Sequence, residues 1–248
     1  MGYDTVINKY NGLKNKTLYT QTFATVGKQI FNDNDLDIDD IGLYVFLVTR
    51  SRQSLENDGI GVIDRIDSLS IYKMIYRPQK LQGKYREIVG NIDERLNRLE
   101  DHGFLERIVN TLGEQAIKIP QNDLDGGFAK LYAPGIKVIL RNLTGKKMLR
   151  KLAIYAAFRT LIFEGTTGTF VIERAPMILS KMLGLSKVSM NNHLKWLREN
   201  YVLAYFKCKL ASMDDPWKQY YSDIVQYDRL VINVKARYDR GFIKEIVE

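Results

Sequence analysis

The chain has 248 residues, 45% hydrophobic and 27% charged, which is typical of a globular protein with one large domain or two small ones. Its single cysteine, Cys208, excludes an intrachain disulfide framework and fits a reducing compartment. The N-terminus shows no secretion signal, and the longest apolar run, Leu152 to Phe158, is too short to cross a bilayer. We therefore expect a cytoplasmic protein without a membrane partner.

The positive charge is concentrated in the C-terminal half. The formal net charge is +8, yet residues 1–120 hold 16 Lys and Arg against 17 Asp and Glu, whereas residues 121–248 hold 21 against 12. Eight basic residues and no acidic residue lie between Gly126 and Phe163. A solvated surface usually mixes both signs, so this distribution indicates a polyanionic partner.

The first half predicts helices followed by a short hairpin. Residues 1–22 are predicted to be a polar N-terminal arm or a strand, and residues 23–120 are predicted to be a first winged-helix domain. A helix begins near Asp39, a second is expected within "VIDRIDSLSIYKMIYR", and a third carries Ile88, Ile92, Leu96 and Leu99 on one stripe before Gly103 ends it. The strand "FLERIV" follows. The acidic segment "FNDNDLDIDDIG" fits no calcium-loop register and is interpreted as a helix cap.

The second half predicts the same order again after a linker at residues 121–143. Thr144 caps a first helix, Pro176 lies in the first turn of a second, and "LS" leads into a third from Lys187 to Asn200. We expect two strands, "VLAYFKCKL" and "RLVINVKARY", to follow. The predicted fold class is therefore mainly α with small β-wings (α+β), with two winged helix-turn-helix domains in tandem, the second at residues 144–248.

Two segments resemble known DNA-binding proteins. "FATVGKQIFNDNDLDIDDIGLYVFLVTRSRQS" is similar to the opening of plasmid and phage replication or regulatory proteins, although Gly27 replaces their usual proline. The matching positions are Phe23, Val26, Asp35, Leu36, Gly42, Leu43, Tyr44 and Leu47. "ILSKMLGLSKVSMNNHLKWLRENYVL" resembles the helix-turn-helix of winged-helix proteins. The resemblance implies tandem winged helices that bind double-stranded DNA.

The third helix of the second half offers a face suited to DNA. Met190, Leu194 and Leu197 form an apolar stripe, and polar residues suited to base edges and phosphates lie on the other side. Three lysines are expected on the wing that follows. The candidate DNA-binding residues in this half are Ser186, Lys187, Ser189, Asn191, Asn192, Lys195, Arg198, Lys207, Lys209 and Lys218.

The corresponding helix of the first half is a weaker candidate, since Glu87, Asp93 and Glu94 interrupt its basic residues. It could equally be a packing or dimerisation surface. The remaining candidates for DNA contact are Lys84, Arg86, Asn91, Arg95, Arg98 and, from the acid-free stretch, Lys146 and Lys147.

Enzymatic activity is not expected. The two histidines, His102 and His193, lie 91 residues apart and support neither a nicking enzyme nor a zinc site. "NLTGKKML" lacks the upstream glycine and the following Ser or Thr of a nucleotide-binding P-loop. We therefore predict no catalytic residues, no metal and no cofactor.

The sequence thus predicts specific binding of double-stranded DNA at repeated sites, in the initiation or control of plasmid or phage replication. A transcriptional repressor that uses the same winged helices is one alternative. A winged-helix protein–protein interaction module is another. A second copy of the chain and host replication proteins are further partners that this interpretation allows.

Overall fold

A computed structural model describes residues 23–53, 61–81, 83–120, 127–164, 168–211 and 217–247. The predicted N-terminal arm at residues 1–22 lies outside them. The described residues form eight α-helices and small sheets, in agreement with the α+β class. The helices are α1 (Ile38–Val48), α2 (Ser68–Tyr76), α3 (Tyr85–Asp101), α4 (Ala133–Asn142), α5 (Gly145–Thr160), α6 (Ala175–Met182), α7 (Lys187–Glu199) and α8 (Tyr227–Asp239).

The strands form three sheets. The strands are β1 (Phe23–Gly27), β2 (Arg52–Gln53), β3 (Gly61–Asp64), β4 (Glu106–Val109), β5 (Gln115–Ile119), β6 (Phe128–Tyr132), β7 (Ile172–Glu173), β8 (Leu203–Leu210), β9 (Trp217–Asp223) and β10 (Ile243–Val247). The sheet orders are β1–β6, β2–β3–β5–β4 and β10–β8–β9–β7. In both larger sheets, the strand that precedes a helix pair is hydrogen-bonded to the second strand of the hairpin that follows it.

The chain divides into two compact units. The first unit comprises Ala24–Lys130 and Ile139–Ala156, and the second comprises Leu131–Val138 with the chain from Ala157 onward. The predicted boundary at residue 144 therefore differs from the observed division.

In the first unit, α1 is capped at its N-terminus, fully buried and packed closely against α5. Asp37 caps this helix: its carboxylate accepts from the backbone N–H groups of Asp39 and Asp40, and Asp40 accepts in return from the N–H of Asp37. Every residue of α1 is buried. Gly42 lets the helix approach α5, because a Cβ atom there would lie 2.5 Å from the carbonyl oxygen of Leu149.

The second unit contains a compact helix–turn–helix. α6 starts with Pro176 in its first turn and ends before Gly184, whose φ of +62° suits glycine. The turn Leu183 to Ser186 leads into α7, which packs against α6. β8 and β9 follow, and α8 covers one face of their sheet through Leu230 and Val234.

The structure corrects the second predicted strand of this half. "RLVINVKARY" belongs to α8, and the strand that pairs with β8 is β9, Trp217–Asp223. Tyr227, Leu230 and Val234 are buried at spacings of three and four, which is a helical period. The β-branched residues between them had suggested a strand.

The predicted linker at residues 121–143 is also corrected, since its described part contains β6 and α4. Leu131, Ile136 and Ile139 are buried there. Pro134 and Gly135 had indicated a break in the chain, but proline is compatible with the first turn of a helix, where its missing N–H has no intrahelical acceptor.

Among the residues that the structure describes, none of the helices combines the length and the apolar composition needed to cross a membrane.

Candidate nucleic-acid interface

The helix α7 is anchored by one face. Met190, Leu194 and Leu197 are each at most 1% exposed, and they repeat at the spacing that places them on one side of the helix. The hydroxyl of Ser186 caps the helix by accepting from the N–H of Ser189 at 3.2 Å. This anchoring fixes the orientation of the opposite face.

That opposite face is polar and exposed. The side chains of Asn191 and Asn192 are both exposed and make no hydrogen bond to any described residue. Lys195 is exposed and lies 3.7 Å from Glu199, one turn along the helix. Lys187 is exposed in the first turn, next to the capping Ser186, whereas Ser189 is half-buried. Four of the predicted DNA-binding residues, Lys187, Asn191, Asn192 and Lys195, are therefore exposed on this helix.

Arg198 occupies a different environment. Its guanidinium carbon lies 4.0 Å from the centre of the Tyr205 ring, and its Nε atom is buried without a hydrogen-bond partner among the described residues. Burial raises the pKa of the Tyr205 phenol, and Arg198 opposes this rise. A cation stacked on an aromatic face stabilises packing. Arg198 therefore joins α7 to β8, and the sequence pattern did not reveal this contact.

The predicted wing lysines lie on two faces of the sheet. Side chains two residues apart in a strand lie on the same face, so Tyr205, Lys207 and Lys209 of β8 share one face of the sheet. Arg198 of α7 covers this face. Lys209 is exposed, and the ammonium of Lys207 lies 4.7 Å from the Trp217 ring. The β8–β9 pair therefore adds positive charge on the side of the sheet that α7 occupies.

Lys218 of β9 lies on the other face. It is directly paired with Cys208, which belongs to the core under α8. Its ammonium is 3.5 Å from a carboxylate oxygen of Glu173, which also pairs with Arg237 of α8 at 3.2 Å. The structure therefore separates Lys218 from the other two wing lysines.

In the first unit, the arginines of α3 are engaged by the acidic start of α1. Arg95 donates to Asp37 and to Asp40, both at 2.7 Å, and Arg98 donates to Asp40 at 2.7 Å. Arg150 pairs with Asp39 at 2.6 Å. Burial opposes ionisation of Asp37, but the hydrogen bonds from Arg95 and from backbone N–H groups outweigh it and lower the pKa of this carboxyl.

The other charges of α3 are also largely neutralised. Arg107 of β4 contacts Glu100 at 2.6 Å and Asp93 at 3.2 Å. Lys84 lies 3.7 Å from Glu87, and the guanidinium of exposed Arg86 donates to the hydroxyl of Tyr85 at 3.2 Å. Among the predicted residues of this helix, Asn91 alone is exposed without a partner among the described residues. This helix therefore presents a neutralised surface, unlike α7.

Asn91 shares a cleft of about 700 Å³ with two predicted residues from a distant part of the chain. Lys146 and Lys147, at the start of α5, line this cleft opposite α3, and all of its lining residues belong to the first unit. Both lysines are exposed. No local sequence pattern connects Asn91 with these lysines, because 54 residues lie between it and Lys146.

One group of possible metal ligands is present among the described residues. Donor atoms of Asp33, Asp35 and His102 lie within 4.8 Å of one another. His102 Nδ1 and Asp33 Oδ2 are 2.7 Å apart, and a histidine–carboxylate hydrogen bond accounts for this approach. We assign no metal here. The expectations of no metal, no cofactor and no catalysis stay predictions.

Comparison of the chain with protein-family models, with curated proteins and with solved structures found no match.

Proposed function

We propose that this protein binds specific double-stranded DNA, with α7 in the major groove and the β8–β9 hairpin beside it as a wing. The observation that carries the proposal is the exposed face of α7. Asn191, Asn192 and Lys195 project from a helix whose other side is fixed in the core. An α-helix fits the major groove, where Asn pairs with adenine and Lys with guanine.

The order of elements supports a winged helix-turn-helix interpretation for each unit. In the second unit, the chain runs from β7 through α6 and α7 to the hairpin β8–β9, and β7 pairs with β9. The first unit repeats this plan with β3, α2, α3 and the hairpin β4–β5, and β3 pairs with β5. Two such units in one chain suit DNA with repeated sites.

The distribution of exposed cations supports DNA contact by the second unit. Lys187 and Lys195 of α7 and Lys209 of β8 are exposed cations on the same side of the second unit's sheet. Such cations contact phosphates and fix the register of a protein on the duplex, while the asparagines read bases. We exclude Arg95, Arg98, Arg198 and Lys218 from the proposed contacts, because their charged groups are engaged within the fold.

We further propose that the DNA contains origin repeats and that the protein initiates or controls replication of a plasmid or phage. This role is supported by the resemblance around Phe23 to Leu47 alone. Footprinting distinguishes it from transcriptional repression. Several direct repeats beside an AT-rich tract are expected for an initiator, whereas one palindrome overlapping a promoter would indicate a repressor.

The test of base reading starts with selection of a site from a random duplex pool, followed by affinity measurements on that site and on its single-base variants. We expect Asn191→Ala to reduce discrimination at one base pair by about 1–3 kcal/mol, as for loss of one bidentate contact. Asn34→Ala, which removes an exposed asparagine of the first unit, is the matched control and should leave discrimination unchanged. An equal loss of affinity on every sequence would show that Asn191 contacts the DNA backbone and does not read a base.

A further inference from the structure

The cleft of the first unit has an apolar floor and a basic wall that the proposed base-reading surface does not use. Its volume is about 700 Å³, and its lining includes the buried side chains of Leu43, Ile92 and Leu149. Lys146 and Lys147 form one wall at the start of α5. The ammonium group of neither lysine makes an ion pair or a hydrogen bond with a described residue.

The backbone at the start of α5 adds donors to this wall. The first backbone hydrogen bond at the start of α5 runs from the N–H of Met148 to the carbonyl of Thr144, at 3.4 Å. The N–H groups of Lys146 and Lys147 precede it and have no intrahelical acceptor. Oriented N–H groups and the helix dipole favour an anion at this position. Asn91, exposed on α3, also lines the cleft and offers an amide donor.

The carboxylates of the cleft are mostly compensated. Asp39 pairs with Arg150 at 2.6 Å and with Arg95 at 3.5 Å. Glu87 has Lys84 at 3.7 Å. Glu94 is exposed on α3 and is the remaining lining carboxylate. The two lysines therefore leave the cleft with an excess of positive charge.

The turn before α5 depends on glycine. Gly145 has a φ of +60°, and a Cβ atom there would lie 2.9 Å from Cε1 of Tyr76, another lining residue. Both the backbone conformation and the close approach of the aromatic ring exclude an ordinary side chain. This explains the sequence Thr-Gly-Lys-Lys as a local structure that presents two lysines at a cleft.

We propose that this cleft binds a phosphate group. Lys146 and Lys147 neutralise the phosphate, the N–H groups at the start of α5 donate to its oxygens, and the amide of Asn91 donates from the opposite wall. The phosphate is carried by a free nucleotide or belongs to the backbone of bound DNA, and both sources share this chemistry. The proposal does not depend on base reading by α7, because no residue is shared between the two sites.

The test uses the full chain at low ionic strength with pyrophosphate as the probe. Calorimetry is expected to give saturable binding, and the backbone amide resonances of residues 145–147 should shift during the titration. The variant Lys146→Ala/Lys147→Ala should lower pyrophosphate affinity at least tenfold. Lys146→Arg/Lys147→Arg should retain binding, since arginine also pairs with phosphate. The matched control is Lys137→Ala/Lys244→Ala, which removes two other exposed lysines and should bind as the parent does.

A second arm identifies the source of the phosphate. If DNA supplies it, the Lys146→Ala/Lys147→Ala variant should bind all duplexes more weakly and lose about 2 from the log–log salt slope. If a nucleotide supplies it, ADP affinity should fall while duplex affinity stays unchanged.

Failure of saturable pyrophosphate binding together with unchanged duplex binding would overturn the proposal. An equal loss of pyrophosphate affinity in the Lys137→Ala/Lys244→Ala control would also overturn it. Failure of base reading is recognised separately, through the Asn191→Ala variant.

Discussion

The arginines of α3 illustrate how a partner changes the role of a residue. From the sequence, Arg95 and Arg98 are cations suited to DNA, but each donates to Asp40, whose side chain is 1% exposed. The buried carboxylate requires them, because an unpaired buried charge is costly. Asp37 and Asp40 accept hydrogen bonds from these arginines. The sequence pattern predicts only their position in a helix cap, not these ion pairs.

Replacement of Arg95 by alanine is therefore expected to affect folding. Arg95→Ala removes the hydrogen bonds to Asp37 and Asp40 but leaves Asp40 paired with Arg98, and it should lower the free energy of unfolding by about 2 kcal/mol. Denaturant titration measures this change. Arg86→Ala, which removes an exposed arginine of the same helix, should leave stability unchanged. A fully stable Arg95→Ala variant with weakened duplex binding would restore the DNA-contact interpretation.

Acid should weaken the same network through Asp37. Its pKa is lowered below the ordinary value of 3.8 in the folded protein, so its stabilising contribution is complete above about pH 5 and is lost as the pH falls through the folded pKa. Asp37→Asn keeps a helix cap but removes this titration. Because the Asp37 side chain is 55% exposed, the loss at pH 7 should be about 0.5–1 kcal/mol.

The stability difference between the parent and Asp37→Asn should shrink as the pH falls from 6 towards 2. Urea unfolding at several pH values measures it. A difference that stays constant across this range would contradict the assignment.

At the scale of elements, two helical glycines, one packed against a neighbouring helix and one facing open space, test how closely α1 approaches α5. Gly42→Ala would place a Cβ atom 2.5 Å from the Leu149 carbonyl oxygen and should destabilise the protein by about 2 kcal/mol, because overpacking outweighs the gain in helix propensity. Gly90→Ala, on the exposed side of α3, meets nothing within 4 Å and should stabilise by about 0.5–1 kcal/mol. Thermal unfolding of both variants tests this prediction, and equal effects would disprove the close approach of α1 and α5.

The helix–turn–helix of the second unit could be predicted from its sequence. The spacing of Met190, Leu194 and Leu197, the capping Ser186 and the turn glycine Gly184 are local signals, and the structure confirms the helix that they predicted. The exposed position of Asn191 and Asn192 followed from the same period.

The remaining elements depend on contacts between distant parts of the chain. "RLVINVKARY" has the β-branched residues of a strand, but burial of Leu230 and Val234 against the sheet makes it a helix. The cleft was equally hidden, since it joins Asn91 to Lys146 and Lys147 through the tertiary fold. Local patterns carry no information about such pairings.

At the scale of the whole molecule, the net positive charge favours a polyanionic partner. The ion pairs within the fold determine which cations remain to contact phosphates. Residues 121–248 hold nine more basic than acidic residues. In the first unit, the arginines of α3 are engaged by Asp37 and Asp40, whereas in the second unit Lys187, Lys195 and Lys209 remain exposed. The central claim is therefore that the second unit binds duplex DNA electrostatically through these lysines.

The salt dependence of duplex binding tests this claim most directly. Affinity for the selected site should fall with a log–log slope of about −3 or steeper, since each neutralised phosphate contributes about −0.9. The triple variant Lys187→Ala/Lys195→Ala/Lys209→Ala should make the slope shallower by about 2.7, whereas Lys137→Ala/Lys244→Ala should leave it unchanged. A flat salt dependence, or no duplex binding at low salt, would contradict DNA binding and leave the protein-interaction alternative.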